Sequence, residues 1–270
     1  MAVKLVTARG QTVILNPNFR VEGVPVERDA PSVEMTYRDG AVGDPRAMRT
    51  LPRHITVSGH FYGASVAECR AQRQVVVQAL AAGPVQIYED EADEQWIDAV
   101  FLRDAHSYVP GAGRSAAKVS LQFRADDPRF SGAWITTSHE LATPAVLQVT
   151  NSGGESVSPV IWVLGPATNP SLANASTGHA LVYTGSIADG AILAVDCGRH
   201  TARVFAPGQA EYYLHPAHAA GSIDGGTNVI GAMNDEWLIT GFEFAPGINS
   251  LDVHGTSPLK LQIAYRERWL

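Results

Sequence analysis

Two cysteines in 270 residues, Cys69 and Cys197, are too few and too far apart to frame a disulfide scaffold. Neither has a metal-like spacing, so a reducing site of synthesis is the simpler reading. No apolar run approaches the ~18 residues that span a bilayer. The opening MAVKLVTARGQ lacks the apolar core of a signal peptide. The expected product is made in a cytoplasm and inserts in no membrane. Positive charge is also scarce: 20 Lys and Arg stand against 27 Asp and Glu, a net charge of −7. The overall field therefore attracts neither anionic membranes nor nucleic acid, and sequence-specific DNA recognition is not expected.

Catalytic and ligand-binding signatures are missing as well. No Ser or Cys sits in a G-x-S-x-G context, and GAGRSA at 111–116 has neither the Lys-Ser/Thr ending nor the helix of a phosphate-cradling loop. His215 and His218 in HPAH are separated by a proline that breaks the helix on which such ligand pairs usually stand, and no third ligand accompanies them. The acidic run Glu89 to Glu94 lacks the alternate-ligand pattern and the glycine of a calcium loop and reads as a solvated hairpin tip. No cofactor, no metal and no enzymatic activity are expected. Asn174-Ala175-Ser176 matches a glycosylation acceptor, a triplet common by chance. Trp96, Trp134, Trp162, Trp237 and Trp269 read first as core residues, with sugar stacking as the alternative.

What the chain does contain is turn chemistry and alternation. Apolar residues make up 45%, with 25 Gly and 16 Pro, which points to a folded, β-rich protein. Val33, Met35 and Tyr37 alternate with polar residues before Asp39-Gly40, a strand and a turn, and 40–52 reads as an irregular loop. Ile55, Val57 and Phe61 alternate with His54, Thr56, Ser58 and His60 in the next strand. SVAECRAQRQVVVQALAAGP is the one convincing helix, about Ser65 to Ala82. Ser65 and Glu68 form a capping box, Val66, Cys69, Val76, Val77 and Leu80 form an apolar stripe, and Gly83-Pro84 is the stop. Two strands around the acidic tip follow, and AKVSLQFRA closes the unit before Asp126-Asp127-Pro128.

Beyond that junction no helix is convincing. Asn151-Ser152-Gly153-Gly154, Gly165-Pro166, Asp189-Gly190, Cys197-Gly198, Gly225-Gly226 and Pro246-Gly247 punctuate short strands, the spacing of a β-sandwich. The closing LKLQIAYRERWL puts Leu259, Leu261, Ile263 and Tyr265 on one face. Charge changes at the same place: 15 basic and 16 acidic residues precede residue 134, but five and eleven follow. Two domains are expected, 1–133 an α+β or split-barrel domain with one helix and 134–270 a β-sandwich.

The order of these features resembles the distal tail protein (Dit) family of siphophage tails. The N-terminal half is similar to its ring-forming domain in the helix VAECRAQRQVVVQALAAGPVQIY and in VSLQFRADDPRF with its Asp-Pro ending. The second half is similar to its galectin-like sandwich: VTNSGGESVSPVIWVLGP, NASTGHALVYTGSIADGAILAVDCGRHTARV and FAPGINSLDVHG run from an Asn-x-Gly turn to a Pro-Gly-x-Asn turn. The resemblance implies a mainly β fold and a structural adaptor. In that role six copies form a ring that joins the tail tube protein to baseplate hub or tail-tip proteins, with the tape measure protein as a further neighbour, in a virion tail assembled in the bacterial host. A carbohydrate-binding sandwich that recognises the host surface is the alternative.

A cyclic ring needs two different complementary faces per subunit. Arg38, Arg46, Arg49 and Arg53 against Glu89, Asp90, Glu91, Asp93 and Glu94 offer patches of opposite sign within one nearly neutral half. The bland alternative is two unrelated solvated loops.

Overall fold

The computed structural model describes residues 3–15, 20–22, 52–88, 94–109, 115–127, 129–208, 225–256 and 258–269. The strand and turn expected at 33–40 and the loop expected at 40–52, Pro52 excepted, lie outside them. The chain divides into two compact units, Met1–Ser131 with Leu270, and Gly132–Trp269.

The first unit holds strands Lys4–Thr7 (β1), Thr12–Ile14 (β2), Arg20–Glu22 (β3), Arg53–Gly63 (β4), Pro84–Tyr88 (β5), Ile97–Val109 (β6) and Ser115–Ala125 (β7). They form one antiparallel sheet in the order β2-β1-β5-β6-β7-β4-β3. Helix Val66–Leu80 (α1) packs on β4, β6 and β7. The alternation read in 54–61 holds along β4, where every second residue from Ile55 to Gly63 is buried. Ile55, Val57, Leu121 and Phe123 join Cys69, Val76 and Leu80 of the helix in one core.

The helix starts as its sequence requires. Ser65 Oγ accepts the Glu68 N–H at 3.2 Å. Glu68 in return accepts an N–H at 2.7 Å, although from Ala64, one residue outside the usual box. Cys69, Val76, Ala79 and Leu80 are its buried residues, while Val66 and Val77 are only half-buried. The last helical residue is Leu80 with Ala81 as the C-cap, so the helix is slightly shorter than expected.

Strand β6 contains the feature that plain alternation misses. Its register on β7 jumps between Phe101, which faces Phe123, and Arg103, which faces Gln122, leaving Leu102 as an extra bulged residue. The bulge reverses the phase of everything after it. Asp104, His106 and Tyr108 therefore oppose the buried Leu121, Val119 and Ala117, on the helix side.

The second unit is built from Phe130–Leu141 (β8), Ala145–Asn151 (β9), Val160–Leu164 (β10), Ala167–Thr168 (β11), Ser171–Asn174 (β12), His179–Val182 (β13), Ser186–Ile187 (β14), Ile192–Asp196 (β15), Thr201–Phe205 (β16), Thr227–Asn228 (β17), Gly247–His254 (β18) and Leu259–Trp269 (β19). The division between units falls inside β8, since Ser131 still exchanges backbone hydrogen bonds with Trp96 of the first unit. A six-stranded sheet, β17-β16-β15-β10-β19-β8, and a four-stranded sheet, β13-β12-β18-β9, form the sandwich, with β11 and β14 as a small pair. Leu259, Leu261, Ile263 and Tyr265 face the core, as their spacing predicts. The opposite face of the large sheet is buried too, through Val160, Trp162, Ile192, Ala194, Phe205 and Ala264.

One short helix, Asp235–Thr240 (α2), departs from the helix-free expectation for this half. Six residues are too few to show a 3.6-residue period. Tertiary contacts make it: Trp237 is fully buried, and the Asn234 side chain bonds Ala180 O and Val182 N of β13 as a strand neighbour would.

Three buried asparagines anchor the segment that returns the chain to β18. Asn151 Nδ2 donates to Glu155 O at 2.8 Å and to Phe244 O at 3.1 Å. Asn174 Nδ2 donates to Glu243 O at 2.8 Å and to Asn249 Oδ1 at 3.0 Å. Asn249 Oδ1 also accepts from Ala245 N at 2.9 Å, while its Nδ2 donates to Ala245 O and Gly247 O. All three are at most 1% exposed, so each bond replaces one that water cannot supply.

Two stability rankings follow from this packing. Leu80→Ala, at a site 1% exposed, is expected to cost about 2–5 kcal/mol against about 1 kcal/mol for Ser65→Ala. Asn249→Ala strands several buried groups and is expected to cost at least about 2 kcal/mol, whereas Asn228→Ala removes one exposed bond to Ile230 N and should cost under about 1 kcal/mol. Urea midpoints of the four variants measure both; equal losses within either pair contradict the packing described.

Candidate functional site

The described residues hold no group of three or more His, Cys, Asp or Glu able to bind a metal, and no helix among them is long and apolar enough to cross a membrane. His215, His218 and residues 111–114 of the glycine-rich loop lie outside the described residues. Both cysteines are free and buried. Cys69 Sγ donates to Ser115 O at 3.4 Å, tying the helix to the start of β7. Burial pushes the Cys197 thiol far above its ordinary range, the opposite of what a nucleophile needs. The glycosylation triplet is closed: Asn174 is 1% exposed and its amide is spent on Glu243 and Asn249.

Three of the five tryptophans are core residues. Trp96, Trp162 and Trp237 are buried, and Trp134 and Trp269 are half-buried. The Arg266 guanidinium lies 4.9 Å from the Trp134 ring. The described outward face of the four-stranded sheet carries exposed Val146, Ile248 and His254 beside Gln148, Ser250 and Asp252, with no Trp, Tyr or Phe among them. An open groove of about 310 Å³ lies beside β8, β10 and β19, lined by Ser138, His139, Leu164 and Gln262. Lys260 and Glu140, which also line it, approach to 3.8 Å.

The surface with organised charge is on the first unit. On the helix side of β6, Arg73 Nε meets Asp104 Oδ2 at 2.6 Å, and His106 Nδ1 lies 3.1 Å from the same oxygen. Arg70 stacks over the Tyr108 ring at 5.5 Å. Both side chains of the Arg73–Asp104 pair are at least four-fifths buried. The Arg73 hydrogen bond, reinforced by its charge and by His106, holds the Asp104 carboxyl below its usual value. On the opposite side of the sheet, the cross-strand rows His54–Arg124, Thr56–Gln122, Ser58–Ser120 and His60–Lys118 face outward, and Arg103 joins the second row by donating from Nε to Gln122 Oε1 at 2.7 Å.

Of the expected subunit-contact residues, Arg53 and Glu94 fall within the described residues. Arg53 begins β4 with its guanidinium 5.6 Å from the Phe130 ring, and Glu94 is exposed before β6. Arg38, Arg46, Arg49, Glu89, Asp90, Glu91 and Asp93 lie outside the described residues. The Arg73–Asp104 pair had no sequence signal, because the bulge that turns Asp104 toward the helix is invisible to alternation.

No protein-family model matches the chain, and no curated relative does. Among solved structures, the chain is similar to the SPP1 Dit (gp 19.1) protein, described as a paradigm of the hub adsorption apparatus in phages that infect Gram-positive bacteria. The match covers 100% of both chains at 18% identity and a TM-score of 0.62. A looser likeness, with 10% identity, 97% of each chain covered and a TM-score of 0.42, is to a chain of the phage P2 baseplate in its activated conformation with calcium. The chain thus has the mainly β fold of a phage distal tail protein along its whole length.

The Asp104 geometry makes a pH statement. A carboxyl whose folded pKa is depressed contributes stability above its unfolded pKa, about 3.9, and loses it as pH falls through the folded value. Asp104→Asn should therefore lower the urea midpoint at pH 7 and flatten its fall between about pH 5 and 2. A variant whose acid limb parallels the wild type would assign the pair no share in acid stability.

Proposed function

We propose that this protein is a structural component of a phage tail, a distal tail protein that works as a ring-shaped adaptor between the tail tube and the baseplate or tail-tip proteins. One observation carries the reading: the likeness to the SPP1 Dit fold covers 100% of both chains. Isolated sandwiches and isolated helix-on-sheet units are common in many proteins, but the succession of these two is far more restrictive. The sugar-binding alternative draws no support from the described outward face of the four-stranded sheet, which carries no Trp, Tyr or Phe for a pyranose ring to stack on.

In this reading residues 1–133 form the ring and 134–270 are a galectin-like appendage. Six copies assemble, each interface being heterologous, so that one face of a subunit meets a different face of the next. The arginines Arg38, Arg46, Arg49 and Arg53 and the acidic run Glu89, Asp90, Glu91, Asp93 and Glu94 supply encounter and register. They add little affinity where the pairs stay wet. The ring's neighbours are the tail tube protein, baseplate hub proteins and the tape measure protein.

Negative-stain images and light scattering of the purified full-length protein test the assembly. Rings of six are expected, and a strict monomer at all concentrations would refute self-assembly as the protein's own property. Arg46→Glu with Arg49→Glu is expected to slow ring formation, and adding Glu91→Lys with Asp93→Lys to restore it in part. Unchanged assembly, or no rescue, removes these patches from the interface.

A further inference from the structure

The outer strand of a sheet presents a row of backbone N–H and C=O groups without partners, and folded proteins keep such strands short or place Pro or charged side chains on them. In the three larger sheets the outer strands β2, β3, β9, β13 and β17 have three, three, seven, four and two residues. Strand β8 breaks this pattern. It is the outer strand of the six-stranded sheet, 12 residues long, and contains no Pro, Lys or Arg. Its one carboxylate, Glu140, stands near the far end beside Lys260. From Ala133 to Leu141 no residue is fully buried, although Ile135 and Leu141 pack against the sandwich core and Trp134 against the apolar cluster on the opposite face. The large sheet thus ends in a strand whose two faces are both partly open.

The backbone groups at this open edge can be identified. Glu140 meets Lys260 at 3.8 Å and the Trp134 ring meets Arg266 at 4.9 Å, pairs six residues apart on each strand, so β8 follows β19 in one unbroken register. Ser131 exchanges both of its backbone bonds with Trp96, on the side away from β19. In an antiparallel strand the N–H and C=O of alternate residues point the same way. Ala133, Ile135, Thr137, His139 and Leu141 therefore direct theirs to the open edge, and no backbone bond from a described residue reaches them.

The residues around Thr137 select the occupant, because they are complementary to themselves. A second β8, antiparallel and related by a two-fold axis at Thr137, sets Thr137 against Thr137, Ile135 against His139 and Ala133 against Leu141. On the other face Thr136 lies opposite Ser138 and Trp134 opposite Glu140. The Thr136 and Thr137 hydroxyl oxygens are closed to water and have no hydrogen-bond partner among the described residues, and facing Ser and Thr hydroxyls are the cross-strand partners such side chains take. Glu140 arrives at the Trp134 ring on which Arg266 already lies, a carboxylate toward a guanidinium, while the two Glu140 side chains stay about 20 Å apart. No like charges meet. A strand of another protein would have to reproduce this pattern, whereas a second copy of the chain carries it already.

We propose that β8 is a self-pairing edge, through which two copies of this chain join as antiparallel strands about a two-fold axis at Thr137 and merge their six-stranded sheets into one. Five residue pairs exchange two backbone bonds each, which makes about ten, the number in a typical interface. Ile135, Leu141 and Trp134 are covered on the flank that a single chain leaves open. The contact is isologous and the ring contacts are heterologous, so each can fail without the other.

Disulfide trapping in the full-length protein tests it. Cys69 and Cys197 are buried, so the wild type under mild oxidation should give no covalent dimer. The two Thr137 residues face each other with Cα atoms about 5.5 Å apart, inside the range a disulfide spans, and Thr137→Cys should be trapped as a covalent dimer in most chains. Ala133→Cys alone should not be trapped, because its two copies lie about 27 Å apart, but mixed with Leu141→Cys, which it faces, it should give the covalent heterodimer. His139→Pro removes one edge N–H and leaves the β19 ladder intact, and in the Thr137→Cys background it should slow trapping at least about tenfold. If Thr137→Cys disturbs folding by circular dichroism, the mixed pair decides. No trapping in either arrangement overturns the proposal, and rings of six that show none would leave the ring reading standing. Trapping of Ala133→Cys alone as fast as Thr137→Cys, or trapping unaffected by His139→Pro, also overturns it, since random collision would then account for the dimer.

Discussion

The second unit depends on a polar constraint inside an apolar core. Its two sheets meet through Leu, Ile, Val and Phe side chains, which stabilise burial but do not choose a register. Asn151, Asn174 and Asn249 choose it. Each comes from a different strand of the four-stranded sheet, and their amides bond the backbone of residues 243–247 in fixed positions. Phe242 and Phe244 are thereby committed to the core, and Tyr265 completes the tie by donating from its hydroxyl to Thr150 O at 2.7 Å across the sandwich. Shifting β18 by one residue would bury Ile248 and Ser250 in place of Asn249 and Leu251 and leave backbone groups unpaired in a dry interior. Gly153 belongs to the same arrangement, because a Cβ there would come within 2.5 Å of the Arg268 carbonyl oxygen.

The first unit solves a different problem. Its sheet has a helix over one face, and the strand that must serve both sides, β6, changes phase at Leu102. Before the bulge, Ile97 and Ala99 reach the core; after it, Asp104, His106 and Tyr108 reach the helix, whose Arg70 and Arg73 meet them. One inserted residue thus converts the outer half of an apolar interface into an ion-paired one. The same phase change leaves Arg103 on the other side of the sheet, where its Nε donates to Gln122 Oε1.

Much of this organisation was readable from the chain itself. Ser65, Glu68 and the spacing of Cys69, Val76 and Leu80 define α1 because caps and a 3.6-residue period are local properties. The alternation of Ile55, Val57 and Phe61, and of Leu259, Leu261 and Ile263, likewise assigns core faces, since a strand's period of two needs no tertiary information. The turn residues around 151–154 and 246–249 carried the sandwich order for the same reason. Only the folded chain decided which asparagines are buried, that Leu102 is a bulge, that Asp235–Thr240 is helical around Trp237, and that VIWVL and ILAVD are covered on both sides. Those outcomes come from pairing between residues up to about a hundred positions apart, where the free energy of a side chain is set by what arrives against it and not by its neighbours in sequence.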